Sequence, residues 1–135
     1  MIEYKEQKQI SKQELISLYR SVHWSEYTSN VERLQIALLN SLNVITAWSD
    51  NRLVGLIRTV GDAQTILYIQ DILVRPEYQN QGIGSELMQR ILTKYKDVRQ
   101  KMLLTDNTVK TRVFYEKQGF TATDHLGVVG FYREY

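Results

Sequence analysis

The sequence contains no cysteine, only one proline and only two histidines among its 135 residues. Without cysteine the chain cannot form disulfides, bind zinc through thiolates or use a cysteine nucleophile. His23 and His125 lie far apart and lack the spacing of metal ligands, so we expect no metal site. Besides the lone Pro76 there is no linker rich in proline, glycine or serine, so residues 1–135 are predicted to form a single domain.

Neither sign of charge dominates the sequence, and there is no long apolar run. There are 17 lysines and arginines against 15 aspartates and glutamates, and the resulting net charge of +2 argues against a nucleic-acid or membrane partner. No run approaches the roughly 20 apolar residues that span a bilayer. The first ten residues are polar and have no signal-peptide core, so we expect a soluble, cytoplasmic protein.

The periodicity of apolar residues predicts four helices. Ser11 stands three residues before Glu14, the spacing of a capping box, and Asn30 is expected to cap the second helix. Gly119 is expected to end the last one. The first predicted helix begins after Ser11 and ends at residue 22. The other three occupy residues 31–38, 83–95 and 110–118.

Shorter apolar and alternating stretches predict the strands of a sheet. Asp50-Asn51 is expected to form a hairpin turn, and a second turn is expected near Gly61-Asp62. The predicted strands lie near the N-terminus and at residues 44–48, 53–60, 65–74, 102–104, 120–123 and 128–133. This mixture of elements indicates an α/β or α+β fold, in which helices pack on a sheet.

The most informative segment is a strand that leads into a glycine loop and then into a helix. Gly82 and Gly84 have no side chains, so the backbone N–H groups beside them can approach a phosphate, which the helix dipole also favours. Two known phosphate-binding motifs do not match this sequence. GxGxxG would need glycine at Leu87, and GxxxxGK[ST] has no match. Taken alone, the glycines are equally explained by a tight turn.

The complete string around that loop resembles a known motif. Residues 72–84, ILVRPEYQNQGIG, resemble motif A of the GNAT family, the acetyl-CoA-dependent N-acetyltransferases, whose core is matched by Gln79, Gly82 and Gly84. Residues 114–120, FYEKQGF, resemble a second block of the family. The resemblance covers nearly the whole chain, and residues 18–28 are similar to small bacterial members and to plant serotonin-type acetyltransferases.

The resemblance implies a fold and a cosubstrate. The GNAT fold has a central mixed, mostly antiparallel sheet of six to seven strands flanked by about four helices. Acetyl-CoA would lay its pantetheine arm along residues 71–74 like an added strand and its pyrophosphate on the amides of residues 79–85. Asn107 stands beside Thr108, which occupies the place of a family asparagine. The predicted coenzyme-binding residues are Ile72, Leu73, Val74, Gln79, Asn80, Gln81, Gly82, Ile83, Gly84, Ser85, Asn107 and Tyr115.

Acetyl transfer to an amine requires that the amine lose a proton, that donors meet the developing oxyanion and that the departing thiolate gain a proton. Tyr115 is the candidate acid for the thiolate, or else an aromatic residue packed under the sheet. Asp71 is a candidate base, a counter-ion for the substrate ammonium, or a sheet residue that caps a bulge or pairs with an arginine. His23, Trp24 and Tyr27 join Asp71 as candidate acceptor-binding residues, because the family commonly builds its acceptor wall there.

Two neighbours of Asp71 carry further expectations. If the strand is regular, Gln70 points to the face opposite Asp71. Arg75 is a candidate to attract the coenzyme phosphates.

Three functions remain open at this stage. The first is an N-acetyltransferase for a small primary amine, either an arylalkylamine or a polyamine, that works by direct attack in a ternary complex because no cysteine can carry the acetyl group. The second is a protein or peptide N-acetyltransferase. The third is a coenzyme-binding sensor without catalysis. The family resemblance also makes a homodimer a candidate assembly.

Overall fold

The computed structural model describes residues 1–135, which form two compact units, Met1–Leu104 and Thr105–Tyr135. The first unit holds a five-stranded sheet in the order β1-β2-β3-β4-β5. Antiparallel pairing joins β1 through β4, while β4 and β5 are parallel, so the expected mixed, mostly antiparallel sheet is confirmed. The strands are β1 (Ile2–Glu6), β2 (Asn43–Ser49), β3 (Arg52–Gly61), β4 (Ile66–Val74) and β5 (Gln100–Leu103).

Four α-helices belong to the first unit and one to the second. The first unit contains α1 (Lys12–Ser21), α2 (Ser25–Thr28), α3 (Val31–Leu39) and α4 (Ile83–Lys94), with a 3-10 turn at Pro76–Tyr78. The second unit contains α5 (Val109–Lys117) and a 3-10 turn at Thr123–Leu126. None of these helices combines the length and apolarity that crossing a bilayer requires.

The predicted helix caps are present, but the capping box is only half formed. The Ser11 hydroxyl accepts the N–H of Glu14 at 3.2 Å, and the Asn30 side chain accepts the N–H of Arg33. The Glu14 carboxylate does not return to Ser11 and instead accepts the N–H of Leu53 at 3.0 Å. Glu14 therefore ties α1 to the start of β3.

Helices cover both faces of the sheet. One face packs against α1 and α3 in a buried cluster that includes Leu15, Leu38 and Leu56. Because successive strand residues point to opposite faces, the neighbouring Gly55 faces the other helix, α4. A Cβ on Gly55 would lie 3.2 Å from Ile83 Cγ2, so the missing side chain lets α4 approach β3 closely.

Two predicted strands are wrong, so the sheet has five strands and not six to seven. Residues 120–123 and 128–133 form no strand, and residues 123–126 make a 3-10 turn instead. A strand requires a partner for its backbone hydrogen bonds, and neither segment pairs with another strand. Gly119 and Gly127, with φ of 92° and 71°, also break the extended backbone before each predicted strand. That residues 1–135 form a single domain stays a prediction.

Candidate active site

The edge of β4 is open over its second half. Strand β5 pairs only with residues 66–69 of β4, so residues 71–74 pair with β3 on one side alone. The Arg75 N–H donates to Val54 O at 2.9 Å. Because backbone groups alternate between the two edges of a strand, the N–H groups of Val74 and Ile72 point to the open edge. The geometry thus brings these two predicted coenzyme contacts together, while the same alternation turns the Leu73 N–H towards β3.

A β-bulge breaks the alternation of β4 next to this edge. Arg58 pairs with Asp71 and Thr59 pairs with Ile69, so Gln70 has no partner on β3. The expectation that Gln70 points to the face opposite Asp71 required a regular strand, and the bulge makes β4 irregular at this point. Gln70 Nε2 and Asp71 Oδ1 both lie within hydrogen-bond distance of the Tyr27 hydroxyl, at 3.3 Å and 2.7 Å.

Asp71 is buried in a cluster of donors. Arg58 Nε donates to Asp71 Oδ2 at 2.7 Å, and the two side chains are 8% and 2% exposed. Tyr19 donates to the same oxygen at 3.0 Å, while Tyr27 donates to the other oxygen. Burial, followed by the charge of Asp71, raises the pKa of both phenols, so they remain donors. A role as base would require the acceptor nitrogen or a water molecule to reach a carboxylate that is 2% exposed.

Three aromatic rings surround the cluster. The Tyr19 ring centroid lies 5.0 Å from that of Tyr27 in an edge-to-face contact, and Trp24 lies 6.1 Å and 6.2 Å from these two rings. Tyr19 is fully buried, whereas Trp24 is 36% exposed. Trp24 and Tyr27 therefore come together beside Asp71, as a shared acceptor wall would require. His23 is exposed on the turn between α1 and α2, where its φ is 66°.

Sequence reasoning missed two members of this cluster, Tyr19 and Arg58. Tyr19 continues the apolar stripe of α1, so its ring was expected in the core and its hydroxyl carried no signal. Arg58 is brought opposite Asp71 by the register of β3 and β4, which includes the bulge. No spacing rule along the chain predicts that register.

The loop after β4 has the backbone geometry of an anion site. Asn80 and Gly82 have φ of 63° and 85°, and Gly82 is the N-cap of α4, with no side-chain cap. The N–H groups of the first turn of α4 therefore point towards the positive end of the helix dipole. Gln79 Nε2 donates to Val74 O at 3.0 Å, which supports the loop from within.

Arg75 does not face this loop's surface, which corrects the expectation that it attracts phosphates. Its side chain is 3% exposed, with Nε donating to Leu53 O and Nη2 donating to Ser17 Oγ, both at 2.7 Å. The Glu14 carboxylate lies 4.0 Å away. Arg75 instead fastens the end of β4 to α1 and β3.

The second unit holds the other two predicted site residues. Tyr115 on α5 packs edge-to-face against Phe114 and Phe120. Burial raises the pKa of Tyr115, against a smaller opposing effect of its hydrogen bond with Thr105, so the phenol stays protonated. Asn107 accepts a hydrogen bond from Arg112 Nε at 2.7 Å, and Thr108 caps α5.

Comparison with known proteins agrees with this geometry. A family model described as an acetyltransferase (GNAT) domain matches residues 4–130. A solved GNAT family protein from Streptococcus pneumoniae TIGR4 is 36% identical and superposes with a TM-score of 0.89, covering 100% of this chain and 98% of that one.

The chain spans less than two thirds of the length of two curated relatives that it matches. An uncharacterized ycf52-like N-acetyltransferase of Prochlorococcus marinus is 36% identical over 114 residues, which are 80% of this chain and 61% of that protein. The chloroplastic GCN5-related N-acetyltransferase 2 of Arabidopsis thaliana is 33% identical over 85 residues, 62% of this chain and 32% of that one. On the family match and these identities, the chain belongs to the GNAT family of acetyltransferases.

Proposed function

We propose that the chain transfers the acetyl group of acetyl-CoA to the nitrogen of a primary amine on a small molecule. The observation that carries this proposal is the open edge of β4 at residues 70–74, which runs directly into the uncapped N-terminus of α4. A ligand with an extended arm and a phosphate could bind both features at once, with the arm on the strand edge and the phosphate at the helix N-terminus. Family membership supports the same activity.

The residues present fit acetyl-CoA. The N–H groups of Ile72 and Val74 would bind the extended arm as an added strand. The amides of residues 80–85, opened by the positive φ of Asn80 and Gly82, would bind the pyrophosphate, whereas the Gln79 N–H already donates to Pro76 O at 3.2 Å. When bound, acetyl-CoA supplies a thioester whose C–S bond is replaced by the C–N bond of an amide, with one proton lost by the amine and one gained by sulfur.

Individual residues are proposed for the chemistry. The Tyr115 phenol, protonated because burial raises its pKa, is the proposed proton donor to the leaving sulfur, and Asn107 is a proposed coenzyme contact. His23, Trp24 and Tyr27 are proposed to line the acceptor site beside Asp71. Aromatic faces there would attract an aryl group or a cationic amine.

A protein acceptor is the second candidate. It is favoured by a relative from Glycine max, named histone acetyltransferase TAP1, that is 34% identical over 83 residues, 60% of this chain and 35% of that protein. The two candidates are separated by measuring turnover with 2-phenylethylamine, 1,4-diaminobutane and a lysine-containing peptide in parallel. Faster acetylation of the peptide than of both free amines would replace the first candidate by the second.

The coenzyme site is tested by calorimetric titration with acetyl-CoA and desulfo-CoA. We expect both to bind the wild-type chain and neither to bind a Gly82→Trp variant, whose side chain would cover the loop amides. Gly82→Ala is the matched control, since it meets the same positive φ but its Cβ has no neighbour within 4 Å. Absence of binding to the wild type, or equal loss in both variants, would contradict the proposed phosphate loop.

Location and assembly are proposed from the sequence. We propose a cytoplasmic protein, noting that the Arabidopsis relative is named chloroplastic. A homodimer is proposed by family resemblance and is checked by sedimentation.

A further inference from the structure

Two tyrosines donate to the same buried carboxylate but differ in their access to a ligand. Tyr19 lies 3.0 Å from Asp71 Oδ2, and Tyr27 lies 2.7 Å from Asp71 Oδ1. Tyr19 is fully buried at the centre of the core, whereas Tyr27 on α2 is half-buried. Because only Tyr27 is partly exposed, its hydroxyl is the candidate of the two to meet a molecule from outside.

The Tyr27 hydroxyl has one hydrogen-bonding position left. A phenol offers one donor and two lone pairs. Its donor is directed to Asp71, and one lone pair accepts Gln70 Nε2 at 3.3 Å. The other lone pair accepts no protein group. Donation to a carboxylate makes an oxygen a better acceptor in turn, so this position is suited to an N–H donor.

Asp71 itself is not available to a substrate. Its side chain is 2% exposed, and Arg58 compensates its charge at 2.7 Å. Both carboxylate oxygens already accept hydrogen bonds, Oδ1 from Tyr27 and Oδ2 from Tyr19 and Arg58. Any effect of Asp71 on an acceptor must therefore pass through Tyr27.

An aromatic surface lies next to the free lone pair. The Trp24 ring centroid is 6.2 Å from that of Tyr27, and Trp24 is 36% exposed. Aromatic faces bind aryl groups and alkylammonium groups. A hydrogen-bond acceptor beside an aromatic face matches an arylalkylamine better than a diamine, because the carboxylate of this cluster is already paired.

We propose that the Tyr27 hydroxyl is the group that contacts the acceptor nitrogen, receiving an N–H of an arylalkylamine on its free lone pair. Asp71 and Gln70 are positioning residues that hold this hydroxyl, and Trp24 covers the aryl group. The inference rests on the proposed amine acetylation and adds the contact that orients the nitrogen. Gln70 and Asp71 lie at the start of the open edge of β4, so the contact adjoins the edge that is proposed to bind the extended arm of acetyl-CoA.

The test compares Tyr27→Phe with Tyr19→Phe, using 2-phenylethylamine as acceptor at saturating acetyl-CoA. Each variant loses one phenol hydrogen bond to Asp71, but only Tyr27→Phe removes the lone pair proposed to accept the amine N–H. We expect Tyr27→Phe to lower kcat/KM for the amine by about tenfold or more, with unchanged calorimetric binding of acetyl-CoA. Tyr19→Phe should lower the melting temperature and leave kcat/KM for the amine within about twofold.

A double-mutant cycle tests the positioning role of Gln70, which is exposed and therefore replaceable without unfolding the chain. Gln70→Leu should lower kcat/KM for the amine a few-fold in the wild type and cause no further loss in the Tyr27→Phe background. Additive losses would show that Gln70 acts independently of Tyr27 and would contradict that role.

The outcomes separate this inference from the function on which it rests. If Tyr27→Phe stays within about twofold of the wild type, or if Tyr19→Phe matches its loss, the Tyr27 contact is wrong while amine acetylation stands. If the wild type acetylates the peptide or 1,4-diaminobutane but not 2-phenylethylamine, the assignment to arylalkylamines is wrong. If the wild type does not bind acetyl-CoA, the proposed function fails and this inference fails with it.

Discussion

At the scale of single residues, Asp71 and Arg58 each carry a charge that the other compensates. They are 2% and 8% exposed and joined at 2.7 Å. Asp71→Asn would leave the Arg58 guanidinium buried without a counter-charge, and breaking a buried pair in this way costs about 3–5 kcal/mol. We expect a loss of that size in the free energy of unfolding, measured by urea denaturation.

The control for this prediction also removes the charge of the Arg58 guanidinium. Asp71→Asn combined with Arg58→Met keeps an oxygen acceptor for one of the two tyrosines and leaves no unpaired ion. We expect the double variant to be more stable than Asp71→Asn alone. If it is less stable, the guanidinium contributes through contacts other than its charge.

The sequence shows which residues could take part in the site, and the three-dimensional structure shows how they do so. The Gln79 side chain supports its own loop, and Trp24 and Tyr27 meet beside Asp71. The pairing of Asp71 with Arg58 could not be read from the chain, because it depends on a register that changes at an irregular point in β3 and β4. A periodic pattern gives the face of a strand but not its partner.

At the scale of elements, the hairpin between β3 and β4 depends on Gly61. Its φ is 146°, and a Cβ there would lie 2.3 Å from Ile66 O, which is backbone that cannot move aside without shifting β4. We expect Gly61→Ala to lower the free energy of unfolding by about 2 kcal/mol or more, measured by urea denaturation.

Gly82→Ala is the matched control for the hairpin. Its φ of 85° imposes a backbone penalty too, but its Cβ would meet nothing within 4 Å. We expect a smaller loss, about 1 kcal/mol, from the left-handed conformation alone. Equal losses at the two positions would mean that the close approach to Ile66 O relaxes freely.

Element positions were largely predictable, and the failures share a cause. Helix α4 begins at Ile83 as its periodicity predicts, and the hairpin turn lies at Asp50-Asn51. Residues 128–133 have the composition of a strand yet form none, because strand formation is decided by a partner and not by composition alone. A local pattern is sufficient for a long helix such as α4, which bonds internally, whereas a strand also requires a partner.

At the scale of the whole molecule, the two units differ in burial. The fully buried side chains belong to the first unit, and none of residues 105–135 is fully buried. Few buried apolar contacts imply a low free energy of local opening. In native-state hydrogen exchange we therefore expect the amides of α5 to exchange faster than those of β3 and α4.

The same measurement, repeated with acetyl-CoA, tests which parts of the chain bind the coenzyme. A ligand that binds the closed form slows exchange wherever it makes contact, in proportion to its occupancy. If Asn107 and Tyr115 contact the coenzyme as proposed, exchange should slow both at residues 79–85 and across α5. Protection confined to residues 79–85 would leave the phosphate loop in place and remove Asn107 and Tyr115 from the site. The proton for the leaving sulfur would then have to come from a group other than Tyr115.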